Sequence, residues 1–191
     1  SSPSRGLGDV YKRQEIPYGE VWERDAIAER RGKIRAAKLE WDVCESLPVH
    51  EDIKRGSGDL GSLFANYRQS LFNLAVEGVH TICYNFMPIL DWTRTELAAP
   101  VAEGGTCLRF STTRMAAFEI HMLGRKDSEG DYSEDVISAA AAWYQAASEE
   151  DCSSLLNSIM AGMPGAFDRY DIAGLQKALE TYKGMGPDDI R

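Results

Sequence analysis

The chain has 191 residues, 43% hydrophobic and 27% charged, which is ordinary globular composition. Its 21 basic and 30 acidic residues leave a net charge of −9. Without a basic cluster it is poorly suited to nucleic acid, where phosphate neutralisation supplies most non-specific affinity. No apolar run reaches the roughly eighteen residues that a membrane-spanning helix needs.

Residues 1–14, "SSPSRGLGDVYKRQ", lack periodicity, and their Ser, Gly and basic content differs from that of residues 15–191. They read as a translated, non-native linker-like leader, or else as a native disordered tail. On the first reading the native chain starts near Glu15. No charged-then-apolar signal opens the chain, so a cytoplasmic location is expected. Cys44, Cys83, Cys107 and Cys152 are far apart and form no CxxC pair. Cys44 and Cys83 fall in apolar strand patterns and are expected as buried, reduced thiols.

Tyr18 to Ala37 reads as a helix, weakened at Gly32. "LEWDVCES" alternates Leu39, Trp41 and Val43 with Glu40 and Asp42, a period of two that predicts a strand. It leads into "SLPVHEDIK", where Pro48 stops regular structure. The next helix is amphipathic, with Leu60, Leu63, Phe64, Tyr67, Leu71, Leu74 and Ala75 on one face and Gly78 as its stop. "VHTICYNF" then predicts a buried strand. The two strands start about forty residues apart with a helix between them. That order implies a parallel, right-handed β–α–β unit, and loops at the carboxyl ends of such strands are where α/β folds place their sites.

Beyond Arg94 the pattern changes. Residues 98–107 read as an exposed Gly-rich turn region, 112–123 as a helix or mixed segment, and 124–131 as a linker. A strong helix comes next, with Ser133 as N-cap candidate and Val136, Ile137, Ala140 and Tyr144 on one face. Two more helices are expected around 151–161 and 171–183. The pattern divides the chain into a leader (1–14), a βα segment (15–97) and a mostly helical insertion (98–191).

Two loops hold the candidate site. His50, Glu51 and Asp52 form either a polar rim that binds a hydroxylated or anionic ligand, or a solvated turn that starts a helix. "CYNFMPILDWTR" (83–94) crowds Asn85, Asp91, Trp92 and Arg94 just past a strand. Asn85 offers a donor and an acceptor, Arg94 a bidentate fork for a carboxylate, and Trp92 a wall for a small-molecule pocket. Alternatively, Asp91 and Arg94 pair and simply stiffen the loop. His50, His80 and His121 make no metal-ligand spacing. Glu103-Gly104-Gly105-Thr106 is too short for a phosphate loop, and no HExxH, GxSxG or Walker motif appears. His121 is expected in a core or interface.

"CYNFMPILDWTRTEL" resembles the signature of the mannonate dehydratases, and "ESLPVHEDIK" (45–54) resembles their preceding loop. "GEVW" (19–22), "AAFEIHML" (116–123) and "IMAGMPGA" (159–166) resemble the family in order and spacing. The resemblance implies a partial (β/α)8 TIM barrel of the xylose-isomerase-like type, keeping strands three and four with their helices, plus a helical insertion. It implies a lyase that dehydrates D-mannonate to 2-dehydro-3-deoxy-D-gluconate in hexuronate catabolism, with Fe2+ or Mn2+ in the complete enzyme. It also implies a homo-oligomer when complete.

In that family the metal is held by His, Cys, His and Asp from later strands, and those motifs do not occur in this sequence. The chain is therefore expected to carry substrate-side loops but no metal ligand and no catalytic residue. His50, Asn85 and Arg94 are expected to face substrate, with Asp91 and Trp92 shaping the loop. A barrel of this kind needs about 250 residues to close, so a fragment with open strand edges is expected to be inactive alone. Two rival readings are another metal-dependent sugar isomerase or epimerase on the same barrel, and a non-catalytic sugar-acid-binding module.

Overall fold

A computed structural model describes residues 4–6, 16–90, 92–161, 170–186 and 188–190. The chain divides into two compact units, Ser1–Ile89 with Gly184–Arg191, and Leu90–Lys183. Both mix helix with short strands, in keeping with the α/β expectation.

In the first unit, strand β1 (Ser4–Gly6) falls within residues 1–14, most of which lie outside the described residues. Helix α1 spans Arg24–Ala36, starting six residues later than the periodicity suggests. The cause lies in the preceding segment, whose backbone is bound by side chains of a later helix. Trp22 N–H donates to Ser70 Oγ at 2.9 Å, Asn73 Nδ2 donates to the Trp22 carbonyl at 2.8 Å, and Asn66 Nδ2 to the Gly19 carbonyl at 2.9 Å. Backbone groups satisfied this way have no need of helical partners.

The single strand expected over residues 39–46 is two. Leu39–Trp41 (β2) pairs in parallel with β1, and Val43–Glu45 (β3) pairs in parallel with Thr81–Cys83 (β4). In the second pair Val43 faces Thr81, Cys44 faces Ile82 and Glu45 faces Cys83. The Leu47 N–H donates to the Cys83 carbonyl at 3.3 Å, so the ladder runs slightly past the strand ends. Helices α2 (Glu51–Arg55) and α3 (Leu60–Val76) make the crossover. The parallel β–α–β unit read from the sequence is present.

Helix α3 stops as Gly78 requires. Gly78 has φ +85°, its N–H donates to the Ala75 carbonyl, and the Val79 N–H donates to the Leu74 carbonyl. This is the two-bond αL ending of a helix, which glycine adopts at least cost. The buried stripe of α3 differs from the apolar one. Leu74, Ser70 and Asn73 are buried, whereas Phe64 is 45% exposed. The two polar residues are inside because they bind the Trp22 backbone N–H and carbonyl. The core gathers Trp22, Ile27, Trp41, Cys44, Leu47, Leu74 and Val79, with Ile82, Tyr67 and Leu71 packed against it.

Strand β4 departs from expectation. It is three residues long, and only Ile82 turns toward the core, while Thr81 and Cys83 are exposed. Cys83 is therefore not the buried thiol that its apolar neighbours suggest, because alternation puts it on the opposite face from Ile82. Cys44 is buried, and all four cysteines are free thiols.

In the second unit, residues 98–107 are more than a turn. Glu96–Pro100 (β5) and Thr106–Arg109 (β6) form an antiparallel hairpin with an irregularity between Glu96 and Ala99. Only the tip matches the expected Gly-rich turn, with Gly104 and Gly105 at φ +88° and +86°. Helix α4 (Thr112–Ala117) runs into a π-helical turn, Phe118–Met122, and a 3-10 turn comes after it at Ser128–Asp131. Helices α5 (Glu134–Ala146), α6 (Glu149–Met160) and α7 (Ile172–Glu180) complete the unit. Ser133 sits at the N-cap of α5 but makes no side-chain cap bond, whereas Ser148 and Asp151 form a capping box on α6. Ala116, Ala117 and Ala140 form a small-residue contact between α4 and α5, flanked by Val136 and Trp143. Among the described residues no helix is long and apolar enough to cross a membrane.

Candidate functional site

Strands β3 and β4 are parallel neighbours, so their carboxyl ends open on the same edge. The segments leaving those ends carry His50 and Asn85. His50 is the N-cap of α2, with extended backbone and its Nδ1 accepting the Asp52 N–H at 3.1 Å. An acceptor nitrogen carries no proton, so in the neutral ring the proton sits on Nε2, which is then a donor. The ring packs beside Gly19, where a Cβ would approach His50 Cδ2 to 3.1 Å and Leu63 Cδ2 to 2.8 Å. Gly19 also has φ +89°, so glycine suits that contact on two counts.

Asp52 is tied to Arg55 by a short ion pair, with Ser57 Oγ donating at 3.3 Å. The Arg55 hydrogen bond holds its carboxyl below the usual carboxylate range; burial, the next largest effect, opposes it, and the nearby His50 adds to the lowering. Asp52 is thus a carboxylate at neutral pH and serves α2, as the solvated-turn reading of this cluster expects.

The loop after β4 is fastened to α2. Lys54, only 7% exposed, donates from Nζ to Glu51 Oε1 at 2.5 Å and to the Met87 carbonyl at 2.9 Å. The second Glu51 oxygen accepts the Ile89 N–H at 3.4 Å. Ile89 has φ +60°, a conformation that a β-branched residue rarely adopts. Asn85 is half-buried within this loop. Beside it, Val49, Phe64, Tyr67, Ile82, Tyr84 and Phe86 contribute to the lining of a cavity of about 410 Å³. The Tyr67 phenol is pushed up to about 12, by burial first and then by Tyr84 and Cys44.

Trp92 and Arg94 belong to the second unit. Trp92 is 54% exposed with φ +43°, and its carbonyl accepts a short hydrogen bond from Arg94 Nη1. One of the five guanidinium N–H groups is therefore spent on the loop itself. Asp91 lies outside the described residues, so the alternative reading in which it pairs with Arg94 lies there too. His121 is half-buried and stacks on Tyr144, with ring centroids 5.1 Å apart at 13°. His80 is exposed just before β4, at the amino end of the strand.

Among the described residues no group of three or more His, Cys, Asp or Glu side chains could hold a metal ion. Among the described residues, then, no side-chain cluster suits the Fe2+ or Mn2+ that the resemblance implies. Sequence reasoning missed Glu51 and Lys54 as a pair. Their signal was the i, i+3 Glu–Lys spacing inside "HEDIK".

A parallel β–α–β unit with a histidine and an amide on its carboxyl-end loops defines an α/β protein with a polar edge at the carboxyl ends of β3 and β4. The chain belongs to the D-mannonate dehydratase (UxuA) family, whose sequence model matches residues 5–191. It is 45% identical over 184 residues to a mannonate dehydratase of Chromohalobacter salexigens, covering 96% of this chain and 47% of that protein. Identity is 44% over 184 residues to one from Marinomonas sp., again covering 96% and 47%. It is 41% over 178 residues to mannonate dehydratase 1 of Agrobacterium fabrum, covering 93% and 44%. The chain thus spans about half the length of these curated relatives. A crystal structure of mannonate dehydratase from Streptococcus suis serotype 2 is similar with a TM-score of 0.50 and 32% identity, covering 87% of this chain and 40% of that one.

Proposed function

We propose that this chain supplies the substrate-side loops of a hydro-lyase that dehydrates D-mannonate to 2-dehydro-3-deoxy-D-gluconate, in cytoplasmic hexuronate catabolism. The observation that carries the reading is the family match over residues 5–191 together with the carboxyl-end loops of β3 and β4. In the reaction, the proton on the carbon next to the carboxylate leaves and the hydroxyl on the adjoining carbon is expelled. The resulting enol becomes the ketone.

Within the first unit, His50 presents its Nε2–H to a sugar hydroxyl, and Asn85 offers a donor and an acceptor to another. Arg94, in the second unit, is proposed as a carboxylate ligand from its own chemistry. Asp91 and Trp92 are proposed to shape the loop that carries it. The partial (β/α)8 barrel is proposed as the architecture, because one parallel β–α–β unit is its repeating element. Fe2+ or Mn2+ and a homo-oligomer are proposed for the complete enzyme, with no metal ligand assigned to this chain.

The test is turnover by the purified chain supplied with D-mannonate and Mn2+, read as formation of the 3-deoxy-2-oxo acid. No product is expected from the chain alone. Metal-dependent product would show that these residues hold the whole catalytic apparatus and would overturn the division of roles.

A further inference from the structure

We propose that Lys54, with Glu51, is a positioning residue that locks the loop after β4 into a preformed ligand-facing wall. The part of the proposal that concerns ligand rests on the reading of D-mannonate as substrate. Three observations carry the rest. Lys54 is 7% exposed, in a residue type that is almost never buried unless its charge is paired. Its ammonium has three hydrogens, and two are directed to Glu51 Oε1 and the Met87 carbonyl. Glu51 reaches the same loop through its second oxygen, which accepts the Ile89 N–H.

The pair therefore grips the loop at a carbonyl and at an N–H two residues apart. One gripped residue, Ile89, sits at φ +60°. Backbone in a sparsely populated region persists only where its surroundings over-determine it. The fastening supplies that determination from α2, an element whose N-cap is His50. A single short helix thus presents His50 and, through the clamp, sets the path of the segment carrying Tyr84, Asn85 and Phe86. Tyr84 and Phe86 line the cavity of about 410 Å³, so the same clamp sets that wall. Lys54 is not placed to act chemically, because its amine is engaged by the carboxylate and the carbonyl.

The test compares the chain with Lys54→Met, which keeps the stem as far as Cε but removes the ammonium, and Glu51→Gln, whose single amide oxygen cannot serve both the Lys54 ammonium and the Ile89 N–H. Two readouts are taken: amide hydrogen exchange at Ile89 by NMR, and calorimetric titration with D-mannonate. In Lys54→Met, Ile89 exchange is expected to rise at least tenfold while amides of α3 keep their protection. Glu51→Gln is expected to show a smaller rise, and D-mannonate affinity is expected to fall in the same order. Unchanged Ile89 exchange in Lys54→Met overturns the clamp. Faster exchange with unchanged affinity overturns its positioning role. If α3 also loses protection in Lys54→Met, the decision passes to Glu51→Gln, where unchanged Ile89 exchange overturns the clamp. If the unmodified chain binds no D-mannonate, the substrate reading fails, while Ile89 exchange still decides the clamp.

Discussion

The Asn73 side chain donates to the Trp22 carbonyl at 2.8 Å, across 51 residues of sequence and inside the core of the first unit. Its amide oxygen accepts from Gln69 Nε2 at 2.9 Å, and the neighbouring Ser70 takes the Trp22 N–H. A helix side chain thereby stands in for a strand partner along the "GEVW" segment. Replacing Asn73 with Leu leaves a buried carbonyl without that donor, which costs about 1–3 kcal/mol. Urea unfolding of Asn73→Leu should show a lower midpoint with an unchanged slope. A midpoint equal to that of the parent would mean that this bond is dispensable.

Gly78 ends α3 at φ +85°, and a Cβ there would lie 2.7 Å from Arg31 Nη2. Gly78→Ala should lower stability by roughly 1–2 kcal/mol, chiefly from the left-handed backbone, since the Arg31 end can move. Thermal unfolding checks this, and an unchanged Tm would contradict the helix-stop role.

The Tyr67 hydroxyl, pushed up to about 12 from the usual 10.0 of a free phenol, predicts a pH effect of definite sign. The unfolded phenol ionises near 10 and the folded one near 12. Its contribution is therefore complete below about pH 10 and is lost as pH rises toward about 12. Absorbance titration at the tyrosinate band should show a late-titrating phenol near pH 12 that vanishes in Tyr67→Phe, leaving the Tyr132 phenol, which burial and then its hydrogen bond to Glu119 also push up. That variant should also show a shallower loss of stability across the same window.

His50→Ala removes both the N-cap acceptor of α2 and the Nε2–H donor. D-Mannonate affinity should fall about three- to tenfold, the equivalent of one hydrogen bond. His50→Asn restores an N-cap acceptor without restoring the ring. Recovery of α2 protection without recovery of affinity would assign the ligand effect to the imidazole itself. Full recovery of both would reduce His50 to a cap.

The crossover from β3 to β4 was legible because Leu39, Trp41 and Val43 alternate and α3 carries an apolar stripe. The helix stop was legible because Gly78 is the residue type its backbone requires. What escaped the sequence depends on partners distant along the chain. Ser70 and Asn73 look like surface polar residues until the Trp22 backbone they bind is placed beside them. Cys83 looks buried until the pairing register assigns it to the face opposite Ile82. The β5–β6 hairpin was hidden because Gly104 and Gly105 dominate a segment whose pairing residues, such as Ala99 and Cys107, have no strong strand pattern. Of the site, residue types were legible on both loops, since polar groups past an apolar strand stand out. The Lys54 clamp was not, because its key partner is a backbone carbonyl, which every residue has.

The most direct test of the central claim is calorimetric titration of the chain with D-mannonate, beside its C2 epimer D-gluconate, for the parent and Asn85→Ala. Saturable binding that favours D-mannonate and weakens in Asn85→Ala is expected. Equal binding of the two epimers, or binding indifferent to Asn85, would contradict the assignment of these loops to the substrate.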